Sequence, residues 1–369
     1  MSGDAFAIRP WLVVVGGFLG AGKTTLILAA ARELERQGRR CAVILNDQGS
    51  ALVDTRFADL HGLHSSEVTG GCFCCRLSEL VSVAEKLRAY SPHVIFAEPV
   101  GSCTDIVATV LRPFQEYSHS YRIAPFTVLV DPDRATSLLQ SNSDPHLNFL
   151  FRKQIEEADL VCFSKADLHP SCPDLFTAET VSRPVRQVCA ATGQGVLAWL
   201  DEVLSGALDG SSQALDIDYQ QYARAEAALA WLNLQTTFET KVPVSPGMML
   251  GPLLDSLDKQ LTAEDISIVH LKAIATSQTG FVKAALCANG QEPRVEGVLD
   301  ASPSFRHDVL LNLRAVGEPH DVRRIVEQEL SRLDGQVGAL KLTCFSPAAP
   351  KPKRRIAAFA VGRSPVRNN

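Results

Sequence analysis

Residues 69–77 read Thr-Gly-Gly-Cys-Phe-Cys-Cys-Arg-Leu, so Cys72, Cys74 and Cys75 fall within four positions, while the rest of the 10 cysteines are scattered singly. Thiols clustered this tightly admit three chemistries: ligation of a soft or borderline metal ion, a redox pair, or packing of small apolar side chains. Neighbours in a strand point apart, so Cys74 and Cys75 converge only through a turn, which Gly70 and Gly71 supply. The glycines and the clustering favour metal binding. Three sulfurs at about 2.3 Å leave the fourth position of a tetrahedral ion to water, another residue or a delivery target. His61, His64 and His119 are candidates to supplement the thiols, although isolated loop histidines read first as solvated.

A second chemical element precedes this one. Gly17-Phe18-Leu19-Gly20-Ala21-Gly22-Lys23-Thr24, followed by Thr25, fits G-x-x-x-x-G-K-S/T. An apolar β-rich run, LVVV, leads in, and a helical pattern, TLILAAARELERQG, follows. That context turns backbone N–H groups inward around phosphate oxygens and adds the positive potential of a helix N-terminus. Lys23 is expected to reach the β- and γ-phosphates and the Thr24 hydroxyl to hold Mg²⁺.

The elements that must position these groups are legible as alternation. CAVILND (41–47), HVIFAEP (93–99), FTVLVD (126–131), LVCFSK (160–165) and VRQVC (185–189) read as strands, with helical stretches such as 78–90 and 146–158 between them. The order predicts an α/β fold: a mostly parallel P-loop sheet flanked by helices, whose ligands bind beyond the carboxyl ends of the strands. At those ends stand Asp47, expected near Mg²⁺ or the attacking water, Glu98, placed like a Walker B carboxylate, and Gly101, whose N–H is offered to a γ-phosphate. Helix capping or solvation is the plainer role for either acid. Ser164-Lys165-Ala166-Asp167 resembles the N-K-x-D element of GTPases, with Asp167 accepting from guanine N1–H and N2–H₂ and the Lys165 stem along the ring. Ser164 replaces the usual asparagine. Cys189-Ala190-Ala191-Thr192-Gly193 resembles the loop that gives guanine O6 a backbone N–H, here from Ala190.

Composition narrows the class. Lys and Arg total 36 against 41 Asp and Glu, a net charge of -5 that gives no general basis for nucleic-acid binding. Lys23 interrupts the apolar run 11–22 well short of the ~20 residues a membrane span needs. The irregular cysteines do not form a disulfide framework, and a cytoplasmic, reducing compartment is expected.

Taken together, GGFLGAGKTT, N-D-Q-G, G-C-F-C-C, E-P-V-G and S-K-A-D resemble, in order and spacing, the CobW branch of the CobW/HypB/UreG metallochaperone GTPases, over roughly residues 10–206. The resemblance implies slow hydrolysis of GTP to GDP, and Mg²⁺ held by Thr24 with help from Glu98. It further implies zinc, cobalt or a similar ion on Cys72, Cys74 and Cys75, and transfer to a client metalloprotein or cofactor pathway. A nucleotide-dependent homodimer is an expectation of the same kind. The histidine-rich tract common in the family is missing, which argues against bulk metal storage. Two other readings stay open: a nucleotide-gated activator of a corrinoid- or metal-dependent enzyme with a structural metal site, and a P-loop phosphotransferase. The expected organisation is a GTPase domain over 1–206, a polar linker running into a short helix over 207–230, a smaller α+β domain over 231–346 with a client-binding role, and a basic, proline-rich, disordered tail over 347–369. In the second domain 321–333 reads as an amphipathic helix, His270-Leu271-Lys272-Ala273 loosely matches the family's R-x-K-G element, and Cys287 and Cys344 read as isolated apolar residues.

Overall fold

The computed structural model describes residues 9–49, 53–169, 183–208 and 214–357. Its first half is built on the apolar runs. β1 (Trp11–Gly17), β2 (Cys41–Asn46), β3 (His64–Val68), β4 (Val94–Glu98), β5 (Arg122–Ile123), β6 (Thr127–Val130), β7 (Leu160–Phe163) and β8 (Val185–Gln187) form one sheet. Its order is β3-β2-β4-β1-β6-β7-β8, with β5 beside β1, and every pair is parallel. The runs are continuous rather than alternating because both faces are covered. Leu12, Val14, Ala42 and Ile44 enter one core, and Val13, Val15, Val43 and Leu45 enter the other.

The covering helices are α1 (Lys23–Arg36), α2 (Val53–Leu60), α3 (Leu77–Leu87), α4 (Arg112–Tyr117, continuing a π turn at Val107–Leu111), α5 (Pro132–Leu138), α6 (Pro145–Glu156), α7 (Val196–Ser205) and α8 (Tyr219–Ala227). Helices α1 and α7 pack on one face, and α3, α6 and α8 on the other with the cysteine loop. Helix α8 falls within residues 207–230. Its Tyr222 and Ala225 are buried in the core of the first sheet, so this stretch is an integral layer.

The chain then makes β9 (Leu229–Val244), α9 (Pro246–Ala263), β10 (Ser267–Ser277), β11 (Gly280–Leu286), β12 (Arg294–Gly297), β13 (Ser304–Val316), α10 (Pro319–Arg332), β14 (Gly335–Val337) and β15 (Lys341–Phe345). These strands form an antiparallel sheet, β12-β11-β10-β13-β9-β14, with β15 also on β9. Helices α9 and α10 cover one face, where α10 buries Val322, Ile325, Val326 and Leu330 beside Val309, Leu311 and Leu313 of β13. The period of two sends the intervening Asn312 and Arg314 to the opposite face. That face is polar: Lys272 of β10 sits opposite Asn312, which sits opposite Asn233 of β9. It docks on the first sheet, Asn312 accepting from the Val53 N–H at 2.9 Å.

Beyond β15, composition predicts disorder, yet residues 347–357 run as extended chain along the first sheet's layer. Ile356 N–H donates to Ala108 O at 2.8 Å, Arg112 donates to Ile356 O at 3.0 Å, and Arg354 pairs with Glu116. Specific backbone and guanidinium contacts overcome the entropy that a proline-rich, basic sequence retains when free. The rest of the expected tail, 358–369, lies outside the described residues.

Candidate functional site

The loop between β1 and α1 requires glycine. Gly17 has φ 132°, and a Cβ there would stand 2.4 Å from Leu129 O. Gly20 is equally confined, its Cβ position 2.5 Å from the Cys287 sulfur. Lys23 opens α1 with its Nζ 3.0 Å from Gly17 O and 3.8 Å from a Glu98 carboxylate oxygen. The Thr24 hydroxyl donates to Glu98 at 2.8 Å. Gly20, Ala21, Gly22, Lys23, Thr24, Thr25 and Glu98 thus line one end of a cleft of about 580 Å³.

The second sheet closes this cleft. Lys272 pairs with Asp54 of α2, and His270, Lys283 and Cys287 line the wall. The four charges Lys23, Glu98, Asp54 and Lys272 act on one another. Burial raises the Glu98 pKa against the pull of Lys23, and burial lowers that of Lys23. Burial opposes ionisation of Asp54 too, but Lys272, Lys283 and Lys23 outweigh it and hold the carboxyl below its ordinary value. Burial likewise opposes the Lys272 charge, and Asp54 and Glu98 outweigh it. Two cations and two anions, all largely buried and paired as Lys23 with Glu98 and Lys272 with Asp54, are suited to a polyanion with a divalent cation. The donor set fits both: glycine-rich backbone and Lys23 for phosphates, the Thr24 hydroxyl and Glu98 carboxylate for Mg²⁺.

At the other end, Ser164, Lys165, Asp167, Cys189, Ala190 and Ala191 line the cleft. Cys189 donates to Asp167 at 3.0 Å, and that hydrogen bond lowers the pKa of the solvent-facing carboxyl. Lys165 pairs with Asp131, and the Ser164 hydroxyl reaches Val130 O at 3.4 Å, a contact to the neighbouring strand end. An anionic acceptor here with small residues opposite matches the edge of a purine bearing two N–H donors.

Asp47 is a correction. It does not line the cleft; its carboxylate accepts two hydrogen bonds from Arg314 at 3.0 and 2.9 Å and caps Gly49 N–H at 2.8 Å. Arg314 is buried, stacks 4.0 Å over Trp231, and needs that anion. Gly17 and Gly101 also stand back from the lining, Gly101 against Leu19 of the phosphate loop. Asp54 and Lys283 line the cleft with no signal in the sequence, and Lys272, His270, His61 and Cys287, singled out there for other reasons, line it as well. The loose H-L-K-A match was the one signal, and Cys287 is a cleft residue rather than an isolated apolar one. His61 meets Phe57 edge-on and His64 stacks on Tyr90, and neither joins the thiol cluster.

The cysteine loop follows β3. Asn46, at the end of β2, fastens it by donating to Val68 O and Gly71 O and accepting from Phe73 N–H, each at 2.8 Å. The N–H groups of Cys75 and Arg76 both return to Cys72 O at 3.0 Å, making the turn that adjacent cysteines require. The three sulfurs lie within 4.8 Å of one another: Cys72 to Cys74 2.8 Å, Cys72 to Cys75 3.3 Å, Cys74 to Cys75 3.8 Å. Cys103 is buried in the same core but stands outside that group of three. Thiol donors from Cys103, Cys74 and Cys75 lower the Cys72 pKa well below a free thiol's, while the bond to Cys72 raises Cys74, Cys75 and Cys103. Cys72 and Cys74 are 6% and 2% exposed, and Cys75 is half-buried. Over them lies the 347–357 strap: Lys353 N–H donates to Cys74 O at 3.0 Å and Lys351 N–H to the Cys75 sulfur at 3.3 Å. Arg355 anchors it on Asp105 at 2.7 Å. An all-sulfur donor set with one solvent-facing member fits a soft or borderline cation.

A parallel sheet with this glycine-rich loop, lysine and threonine, and an acid on the adjacent strand, defines a P-loop nucleotide-binding protein. Residues 11–191 match the CobW/HypB/UreG nucleotide-binding domain, and this part of the chain carries that domain. It is 37% identical over 169 residues to the zinc chaperone YjiA of Escherichia coli, covering 42% of this chain and 49% of that protein. It is 30% identical over 193 residues to the zinc chaperone CobW of Pseudomonas aeruginosa, covering 42% and 48%. The chain therefore spans about half the length of the curated relatives it matches. Among solved structures, Zn(II)-bound YjiA GTPase from E. coli shares 13% identity at a TM-score of 0.35, covering 86% of this chain and 98% of that one. Among the described residues no helix is long and apolar enough to cross a membrane.

Proposed function

We propose that the chain binds and slowly hydrolyses GTP and uses that cycle to load and release a transition metal, zinc or cobalt, for a client metalloprotein. The observation that carries this reading is Asn46, which holds the cysteine loop by three hydrogen bonds while ending the strand that leads into the cleft-side segment. A change of backbone there is felt at the thiols. Lys23 neutralises the β- and γ-phosphates, Asp167 selects guanine, and Glu98 and Asp54 hold and orient the water that attacks the terminal phosphate. Thr24 and Glu98 would hold Mg²⁺, which when bound would supply charge neutralisation to the phosphates. Cys72, Cys74 and Cys75 take the cargo ion as thiolates. A coupling of 1–3 kcal/mol between the two sites changes metal affinity roughly 5–150-fold, enough to load or release an ion.

The test is metal content and affinity of the purified protein, titrated in GDP and in a non-hydrolysable GTP analogue, beside the Cys72/Cys74/Cys75→Ser variant. About one equivalent, lost in the variant and shifted by nucleotide, supports the proposal. Affinity equal in both nucleotide states supports the second reading, an activator with a structural metal site, which the burial of Cys72 and Cys74 beneath the strap favours. In that case the second sheet is where a client is to be sought.

A further inference from the structure

Residues 347–357 lie across the cysteine loop and touch it through backbone. Lys351 N–H reaches the Cys75 sulfur at 3.3 Å, and Lys353 N–H reaches Cys74 O at 3.0 Å. Both lysine side chains are exposed, so the hold on this segment comes from further along. Arg355 supplies it. Its Nε donates to Asp105 at 2.7 Å, and its Nη2 donates to Asp105 at 3.3 Å and to Leu215 O at 2.6 Å. Asp105 is 1% exposed and also accepts from the Tyr219 hydroxyl at 2.6 Å. Its φ is 61°, a left-handed conformation that a residue other than glycine keeps only while its surroundings fix it.

Building on the reading of the three thiols as a metal site, we propose that residues 347–357 are a lid over it, latched by Arg355 on Asp105, and that the terminal phosphate of the nucleotide releases the latch. Asp105 lies near the end of the loop that leaves β4 at Glu98. The other end of that loop belongs to the cleft. Glu98 accepts from the Thr24 hydroxyl at 2.8 Å, and Gly101 lies so close to the phosphate loop that a Cβ would meet Leu19 N at 3.1 Å. The stretch between is tied at nearly every residue. Gln154 donates to Gly101 O and Cys103 O at 2.9 Å each, Cys103 N–H donates to Val100 O at 2.9 Å, and Thr104 N–H donates to the Tyr222 hydroxyl at 3.1 Å. A displacement at its phosphate end is therefore carried to Asp105 rather than absorbed. A terminal phosphate that displaces Gly101 shifts the Asp105 carboxylate against Arg355, whose other acceptor, Leu215 O, lies on a separate segment. With the latch broken, Ile356 keeps its bonds to Ala108 O at 2.8 Å and from Arg112 at 3.0 Å, while the exposed Arg354–Glu116 pair adds little. The span 347–354 lifts between β15 and Ile356 and uncovers Cys75, the half-buried thiol of the three. The diphosphate state keeps the site covered, and the triphosphate state opens it to an acceptor.

The full-length, metal-free protein is compared in GDP and in a non-hydrolysable GTP analogue, each at a concentration that calorimetry shows to saturate. Two quantities are read: amide hydrogen exchange of peptides spanning 347–357, and labelling of Cys75 by a disulfide reagent, mapped by mass spectrometry. Expected are exchange and labelling about 5–150-fold faster with the analogue, the span of ordinary coupling between two sites. Arg355→Gln should label in GDP as fast as the wild type does with the analogue, its nucleotide ratio near one and its GDP affinity unchanged. Lys351→Pro, which removes the N–H on Cys75, should speed labelling in GDP while the rest of the segment keeps its exchange ratio. Wild-type exchange and labelling that are equal in the two nucleotides, or faster in GDP, overturn the proposal without recourse to any variant. So does a well-folded Arg355→Gln, judged by circular dichroism, that keeps the wild-type ratio. The metal-site reading fails separately: zinc bound as tightly by Cys72/Cys74/Cys75→Ser as by the wild type overturns that reading, whatever the exchange of 347–357 shows.

Discussion

The helix that follows the phosphate loop and the cysteine loop pack on opposite faces of one parallel sheet, and their sites are completed by different means. The nucleotide cleft is closed by charge: Lys272 on Asp54, Lys23 on Glu98, and, just outside, Arg314 on Asp47, each pair joining or flanking strands distant in sequence. The cysteine pocket is closed by backbone: Lys351 and Lys353 contribute N–H groups rather than their ammonium groups. A charged wall responds to the charge of what enters the cleft. A backbone cover adds no charge of its own to the sulfurs. Under the function proposed above, the difference separates a site that distinguishes anions from a site that distinguishes soft cations.

The comparison breaks most visibly at Asp47. Asp47→Ala leaves Arg314, with its side chain 4% exposed, unpaired, and about 3–5 kcal/mol of stability should be lost in urea unfolding. Adding Arg314→Met should recover much of it. Unaltered stability with a collapsed hydrolysis rate would restore Asp47 to the chemistry and undo the division. Next in size, Lys23→Ala should weaken GTP binding by about 1.5–3 kcal/mol in calorimetry, the worth of hydrogen bonds to a charged group, with zinc affinity in the nucleotide-free protein little changed. Equal losses at both sites would mean that they are one unit. Ending the chain at residue 346 removes the cover, and at about 1 kcal/mol per hydrogen bond the metal-free thiols should react with a disulfide reagent roughly 5–30-fold faster. GTP affinity is the control that should hold.

The smallest effect concerns Glu226, whose carboxyl burial pushes up to about 8. Below its ordinary value near 4.5 the group is protonated whether the chain is folded or not. Between 4.5 and about 8 the folded state binds the extra proton, so stability falls as pH rises through that window and levels off above it. From pH 7 to 8 the loss should stay under about 1.4 kcal/mol, and Glu226→Gln should flatten it in thermal melts. A variant melting with the wild-type slope would move the titration to another group.

Much of the first sheet was legible because buried parallel strands are continuous apolar runs and the phosphate loop carries its own spacing. β3, written His-Ser-Ser-Glu-Val, was not: it is an edge strand that needs little apolar surface. Cys72, Cys74 and Cys75 announced themselves through spacing, and the turn that brings their sulfurs together is the one that Gly70 and Gly71 suggest. Asp47 occupied the expected strand end but met Arg314, a partner 267 residues away, and Asp54 took the place by the cleft. Such exchanges depend on the register of the second sheet, which alternating polarity on β13 suggests but whose docking no local pattern specifies. The strap was hidden because its composition argues for disorder while its hold comes from backbone groups and arginines on distant acids.

The strap also orders events in time. Cys75 and the Lys351 N–H that covers it are 276 residues apart. At ribosomal rates of 5–20 residues per second, roughly 14–55 s separate the emergence of the thiols from that of their cover. During that interval the parallel sheet can form with its sulfurs open, and the antiparallel sheet must fold before the strap can lie across them. Under the function proposed above, acquisition of the first ion is thus a kinetic contest between synthesis and metal capture, set by the distance in sequence between a turn and its lid.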